Sequence, residues 1–212
     1  MTDAHVAVME AGWGGGVSPF GTTWQKTMMW IFIITDALLF SGLLCGYGFL
    51  RMAITVPWPR QTEIFSISFI ALMTFILITS SATMGTAVGA SRLGDRKTTL
   101  LCLTLTILGG AAFLSCQAYE WTHLIHEGAR LYGAAPGSEL AHLGVPAQFP
   151  ASFFLLTGFH GSHVFSGLVI LLITTIRAAM GKTPAQNVEM AGLYWHFVDL
   201  VWVFIFTLFY LV

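Results

Sequence analysis

Five ionisable side chains stand inside apolar runs long enough to cross a bilayer: Asp36, His160, His163, His196 and Asp199. A charged residue at mid-bilayer costs roughly 3 kcal/mol on insertion scales, so each of them needs a partner or a use. His160 and His163 are three residues apart, as are His196 and Asp199, which puts each pair on one helix face. Three chemistries suit these residue types. A carboxyl beside an imidazole can hold and pass a proton, an imidazole can ligate haem or a metal ion, and either group can brace two helices through hydrogen bonds. An i,i+3 pair on one helix cannot clasp a haem from both faces, and no cysteine or carboxylate cluster joins it in a zinc set. His160 and His163 therefore read as packing residues. His196 and Asp199 read as an internal clamp between helices, with a proton pathway as the alternative. Asp36 stays open between a proton-relay or ion site and a neutral acid hydrogen-bonded to Thr35 or Ser41. Glu120 and His123 form a further polar pair near the outer end of an apolar run.

The elements that position these groups follow from composition. Hydrophobic residues make up 56% of the 212 residues and charged residues 9%, against about 25% charged in a soluble domain. So few charges cannot cover a water-exposed globule of this size. A net charge of −1 and the lack of a basic cluster argue against nucleic acid as a partner. Cys45, Cys102 and Cys116 lie in apolar runs without a C-x-x-C pair and read as small buried hydrophobes. Residues 1–26 are mixed and Gly-rich, lack the charged-then-apolar pattern of a cleavable signal, and are expected to form a cytoplasmic N-terminal segment.

A bilayer core needs about 20 apolar helical residues, and five segments supply them, at about 27–53, 64–90, 98–122, 151–179 and 188–212. The fold class is all-α, a five-span transmembrane bundle occupying 27–212. Its loops place Lys26, Arg92, Arg96, Lys97, Arg177 and Lys182 on one side and Arg51, Arg60 and Arg130 on the other. That excess puts the N-terminus inside and the C-terminus outside. Counting about 1.5 Å per helical residue, Asp36, His160, His163, His196 and Asp199 reach similar depths. They are expected to form one polar layer facing the bundle interior, with Asp199 or Asp36 paired to a histidine. Tyr194, Trp195 and Trp202 read as packing and interface residues, and Gly42, Gly46, Gly48, Gly85, Gly89, Gly109 and Gly110 as sites of close helix approach.

Three segments carry a resemblance to a known family. Trp30-Ile31-Phe32-Ile33-Ile34-Thr35-Asp36-Ala37-Leu38-Leu39-Phe40, Thr157-Gly158-Phe159-His160-Gly161-Ser162-His163-Val164 with Gly167, and Val188-Glu189 through Tyr194-Trp195-His196-Phe197-Val198-Asp199-Leu200-Val201-Trp202 resemble subunit III of the haem–copper terminal oxidases. Gln117-Ala118-Tyr119-Glu120-Trp121 is a weaker fourth match. The resemblance implies a non-catalytic, multi-pass subunit of a proton-pumping respiratory oxidase in a bacterial inner membrane. It would bind neither haem nor copper, and would hold phospholipid between helices. It would pack on subunit I, within a complex that also contains subunit II, and support proton uptake and the stability of subunit I during turnover. Cytochrome c is the expected donor, with quinol as the alternative. The Asp36 position corresponds to the family's membrane-buried, carbodiimide-reactive carboxyl, which is usually glutamate and one methylene longer. The full-length form has seven spans, and this chain resembles the short form without the first two, which build one wall of the lipid cleft.

Other settings are a nitric-oxide-reductase-associated homologue, a secondary transporter or proton channel, and a b-type cytochrome. A transporter predicts broken helices and internal repeats, neither of which the sequence shows. A b-type cytochrome predicts histidines on opposing helices.

Overall fold

A computed structural model describes residues 22–54, 58, 64–131, 133–142 and 144–211. Among them, five helices are long and apolar enough to cross a membrane. They are α1 (Trp24–Ala53), α2 (Ile67–Arg92), α3 (Arg96–His126), α5 (Gln148–Ala179) and α6 (Ala185–Ile205), the last continuing as a π-helical turn over Phe206–Leu211. Between α3 and α5 lie a two-stranded antiparallel ribbon, β1 (Ala129–Arg130) with β2 (Gly133–Ala134), and a single helical turn, α4 (Glu139–His142). The architecture is the all-α bundle expected, with small differences at the ends. Expected segment 1–26 falls mostly outside the described residues, as does Arg60.

Local chemistry explains the ends. The α2–α3 turn needs Gly94 at φ 75°, a left-handed conformation that a side chain would strain. Asp95 then caps α3, accepting from Thr98 N at 3.2 Å and from Thr98 Oγ1 at 2.5 Å. These bonds hold the Asp95 carboxyl below the ordinary aspartate range. Pro150 fits the first turn of α5, where its missing N–H is not needed. Helix α2 starts at Ile67 and not at 64, because Ile64 and Phe65 turn into the core ahead of the extended Ser66. Helix α3 runs past residue 122 to His126, shortening the loop that follows.

Helix α6 is the central element, packed against α1, α2 and α5, while α3 packs against α2 and α5. Lipid tails are as apolar as a leucine surface, so close shape fit and hydrogen bonds must drive this association. Trp195 supplies both. Its ring lies where a Cβ on Gly110 of α3 would stand, and a Cβ on Gly167 of α5 would approach it to 3.0 Å. Its Nε1 donates to Ser80 Oγ of α2 at 3.2 Å. One side chain thereby joins α6 to three helices. Two turns on, Trp202 is fully buried and donates to Thr74 Oγ1 of α2 at 2.9 Å. Cys102 is buried and Cys116 half-buried, but Cys45, read as buried, is exposed on α1, which packs against α5 and α6.

Gly110→Leu should displace Trp195 and destabilise the solubilised protein by about 1–3 kcal/mol. Gly42→Ala, where an added Cβ meets nothing within 4 Å, should change stability by less than about 0.5 kcal/mol. Thermal unfolding in detergent compares the two, and equal effects would mean that the Trp195 slot is not a determinant of packing.

Candidate functional site

The five polar groups expected in one layer do not join. The structure brings Asp36 and His163 together, sets His160 apart, and places His196 and Asp199 on another face of the bundle.

Asp36 of α1 is buried, and its Oδ1 lies 3.3 Å from His163 Nε2 of α5. Thr35, one suggested partner, donates instead to Phe32 O at 2.8 Å. His163 Nδ1 lies 2.8 Å from Phe159 O, one turn back in α5. A carbonyl only accepts, so Nδ1 must carry hydrogen. Nε2 is then the ring nitrogen that faces Asp36 Oδ1, and the pair bridges two helices. Phe40 and Phe159 shield it, their rings 5.2 and 4.7 Å from that of His163. Tyr194 OH of α6 donates to His163 O at 3.1 Å and lies 2.7 Å from Ser166 Oγ. Asp36 Oδ2 is buried without a hydrogen-bond partner among the described residues.

His160 shares the helix with His163 but points elsewhere. It is fully buried between Phe113, at 5.8 Å and 88°, and Trp202, at 5.1 Å and 31°. Neither ring nitrogen has a hydrogen-bond partner among the described residues. The ring packs among aromatic side chains.

His196 corrects the expectation that every such group turns inward. Its side chain is exposed on α6, and Nδ1 lies 2.6 Å from Ser81 Oγ of α2. Asp199, one turn on, is half-buried, with Oδ1 lacking a hydrogen-bond partner among the described residues. Among the described residues no hydrogen bond joins this set to His160 or His163; His196 lies about 100° around α6 from the inward-facing Trp195.

Glu120 is buried, and its Oε2 accepts from Tyr210 OH at 3.1 Å. The π-helical turn carries Tyr210 inward to reach it. His123 does not pair with Glu120; its Nδ1 lies 3.3 Å from Glu127 Oε1. Glu120 and His123 both line a cavity of about 240 Å³ near the start of α2 and the end of α3.

The Gly-Phe-His-Gly segment also has a physical reading. Gln117 Nε2 of α3 donates to Thr157 O at 2.5 Å, and Trp121 Nε1 donates to Thr157 Oγ1 at 3.1 Å. A Cβ at Gly158 would meet Trp121 at 3.0 Å, and one at Gly161 would meet Gln117 at 3.0 Å. These glycines make room for α3 side chains. One set escaped the sequence reading. Glu189 of α6 binds Lys26 of α1 at 2.6 Å and Arg92 of α2 at 3.1 Å. An acid at the start of the last span, opposite two cations assigned to the same side, was the available signal. At the same end Arg96 donates to Ala179 O, so cations that the loop pattern grouped do share one end of the bundle. Among the described residues, no three His, Cys, Asp or Glu side chains are grouped to hold a metal ion.

The family model for cytochrome c oxidase subunit III matches residues 5–136 and 138–212. Quinol oxidase subunit 3 of Bacillus subtilis is 37% identical over 187 residues, covering 86% of this chain and 84% of that protein. Cytochrome c oxidase subunit 3 of a Bacillus species is 35% identical over 185 residues, covering 86% and 83%. Cytochrome bo(3) ubiquinol oxidase subunit 3 of Pseudomonas aeruginosa is 33% identical over 200 residues, covering 93% and 86%.

Tyr210→Phe should leave Glu120 Oε2 without its donor and cost about 1–3 kcal/mol. Combined with Glu120→Leu, the loss should fall short of the sum, since the two residues interact directly. Denaturation in detergent measures the cycle, and strict additivity would remove the pair as a structural tie.

Proposed function

The chain belongs to the cytochrome c oxidase subunit III family, and on that premise we propose that it is a non-catalytic scaffold that helps to supply protons to a respiratory oxidase. The observation that carries this reading is the Asp36–His163 pair. It joins α1 to α5 through a 3.3 Å carboxyl–imidazole contact and is flanked by the rings of Phe40 and Phe159. A carboxyl–imidazole pair of this kind buffers a proton without an ion having to leave the protein.

In this reading subunit I is the direct neighbour and carries the haems and copper, subunit II completes the complex, and phospholipid fills clefts on the helix surfaces. The end of the bundle bearing Lys26, Arg92 and Arg96 faces the cytoplasm of a bacterial inner membrane, in keeping with the excess of cations there. Cytochrome c is the first candidate as electron donor. Quinol is the second, favoured by the names of the relatives from B. subtilis and P. aeruginosa.

Gentle solubilisation and affinity capture of this chain test the assignment. The expected companion is a larger haem-bearing subunit with a Soret band, and the captured complex should consume oxygen with reduced cytochrome c or with quinol. Capture without haem, or proton flux through the chain alone in liposomes, would overturn it. For the proton role, Asp36→Ala should leave assembly intact while the oxidase loses activity several-fold faster during turnover. Inactivation at the unaltered rate would remove Asp36 from proton supply.

A further inference from the structure

The cavity between the start of α2 and the end of α3 contains a carboxyl that the bundle satisfies only in part. Glu120 is 7% exposed. Its Oε2 accepts from Tyr210, while Oε1 has no hydrogen-bond partner among the described residues. A carboxyl oxygen so buried is costly to leave unmatched. Among the described residues that line the cavity there is no lysine or arginine. His123 lines it too, but its Nδ1 faces Glu127 Oε1 at 3.3 Å.

The other walls are mostly apolar. Phe69 and Tyr119 make a corner, their ring centroids 5.6 Å apart and their planes at 61°. Ile70 and Leu124 line the cavity as well. Ser66 is exposed, and its hydroxyl makes no cap bond to α2. An apolar cavity of about 150 Å³ holds benzene, so about 240 Å³ has room for a ring with an aminoalkyl arm. Helix α3 has 31 residues, about 46 Å of helix against a bilayer core of about 30 Å. Glu120 is six residues from its end, about 9 Å along the axis and close to the boundary of that core.

Water would satisfy Oε1 but would wet the rings and aliphatic walls. A metal ion needs more donors than are grouped among the described residues. An organic ammonium fits every wall: it brings a donor and a compensating charge to the carboxyl, ring faces attract its charge, and its carbon body is buried against apolar side chains. We propose that the cavity binds a small primary ammonium compound with an apolar body, its N–H on Glu120 and its body against Phe69 and Tyr119. A quaternary ammonium has no N–H to give to Oε1. The site lies wholly on this chain and stands apart from the oxidase assignment.

The full chain, with the companions it retains, is placed in nanodiscs of phosphatidylcholine, whose headgroup lacks N–H. Calorimetric titration with phenethylamine, read against empty nanodiscs, should show one saturable site per chain. Phenethyl alcohol, the same body without the charge, should bind about tenfold more weakly or worse. Glu120→Gln keeps an acceptor for Tyr210 and should weaken the amine about tenfold. Tyr119→Leu, at an exposed position on which folding does not rest, should weaken it about threefold. Adding phosphatidylethanolamine separates two sources of the same chemistry: competition assigns the site to a lipid headgroup, and unaltered binding assigns it to a soluble amine. Absence of saturable binding, equal binding of the alcohol, or undiminished affinity in both variants would overturn the proposal.

Discussion

The seating of Trp195 is the interaction from which the bundle is built. Within a bilayer, apolar burial gives helices no preference for one another over lipid, so they associate where surfaces interlock or where polar groups meet. The Trp195 indole does both, resting in the spaces left at Gly110 and Gly167 while its N–H bonds Ser80. Ser80 in turn donates to Leu77 O at 2.7 Å. Trp202 repeats the arrangement with Thr74, whose hydroxyl donates to Ile70 O at 2.8 Å. In each case a helix hydroxyl satisfies its own turn and still accepts an indole N–H from the neighbouring span. The position of α6 over α2 follows from these two bonds.

The polar groups are divided among helix pairs and not pooled. Asp36 and His163 join α1 to α5, Ser81 and His196 join α2 to α6, Glu120 and Tyr210 join α3 to the end of α6, and Glu189 joins α1, α6 and α2. Division keeps charges few at any one place in a low-dielectric medium, where an unpaired one is most costly. His160, one turn from His163, has no side-chain hydrogen bond among the described residues and packs its ring against Trp202.

The five spans were legible because bilayer thickness imposes a length that composition reveals. Pairing of Asp36 with a histidine was legible in kind, since a mid-membrane carboxyl demands a partner, but the choice of His163 over the local hydroxyls was not. Helix rotation decided it, and rotation depends on where Trp195 and the motif glycines fit. The same rotation turned His196 outward, which depth counting along the axis cannot show. Tyr210 was invisible as the partner of Glu120, because it reaches inward through a π-helical turn, and Phe206–Leu211 carries no residue that marks such a widening. The ion contacts of Glu189 were accessible in principle, from charges already assigned to one side.

That the hub of the bundle is its final span has a consequence for biogenesis. Helices enter the membrane in the order of translation, so α1, α2, α3 and α5 reside there before their shared neighbour leaves the ribosome. During that interval the recesses at Gly110 and Gly167 are unfilled, Lys26 and Arg92 lack their carboxylate, and α1 has little to hold it. The α2–α3 packing and the Gln117 and Trp121 bonds to Thr157 need no α6, so arrival of α6 completes the bundle by seating Trp195 and supplying Glu189.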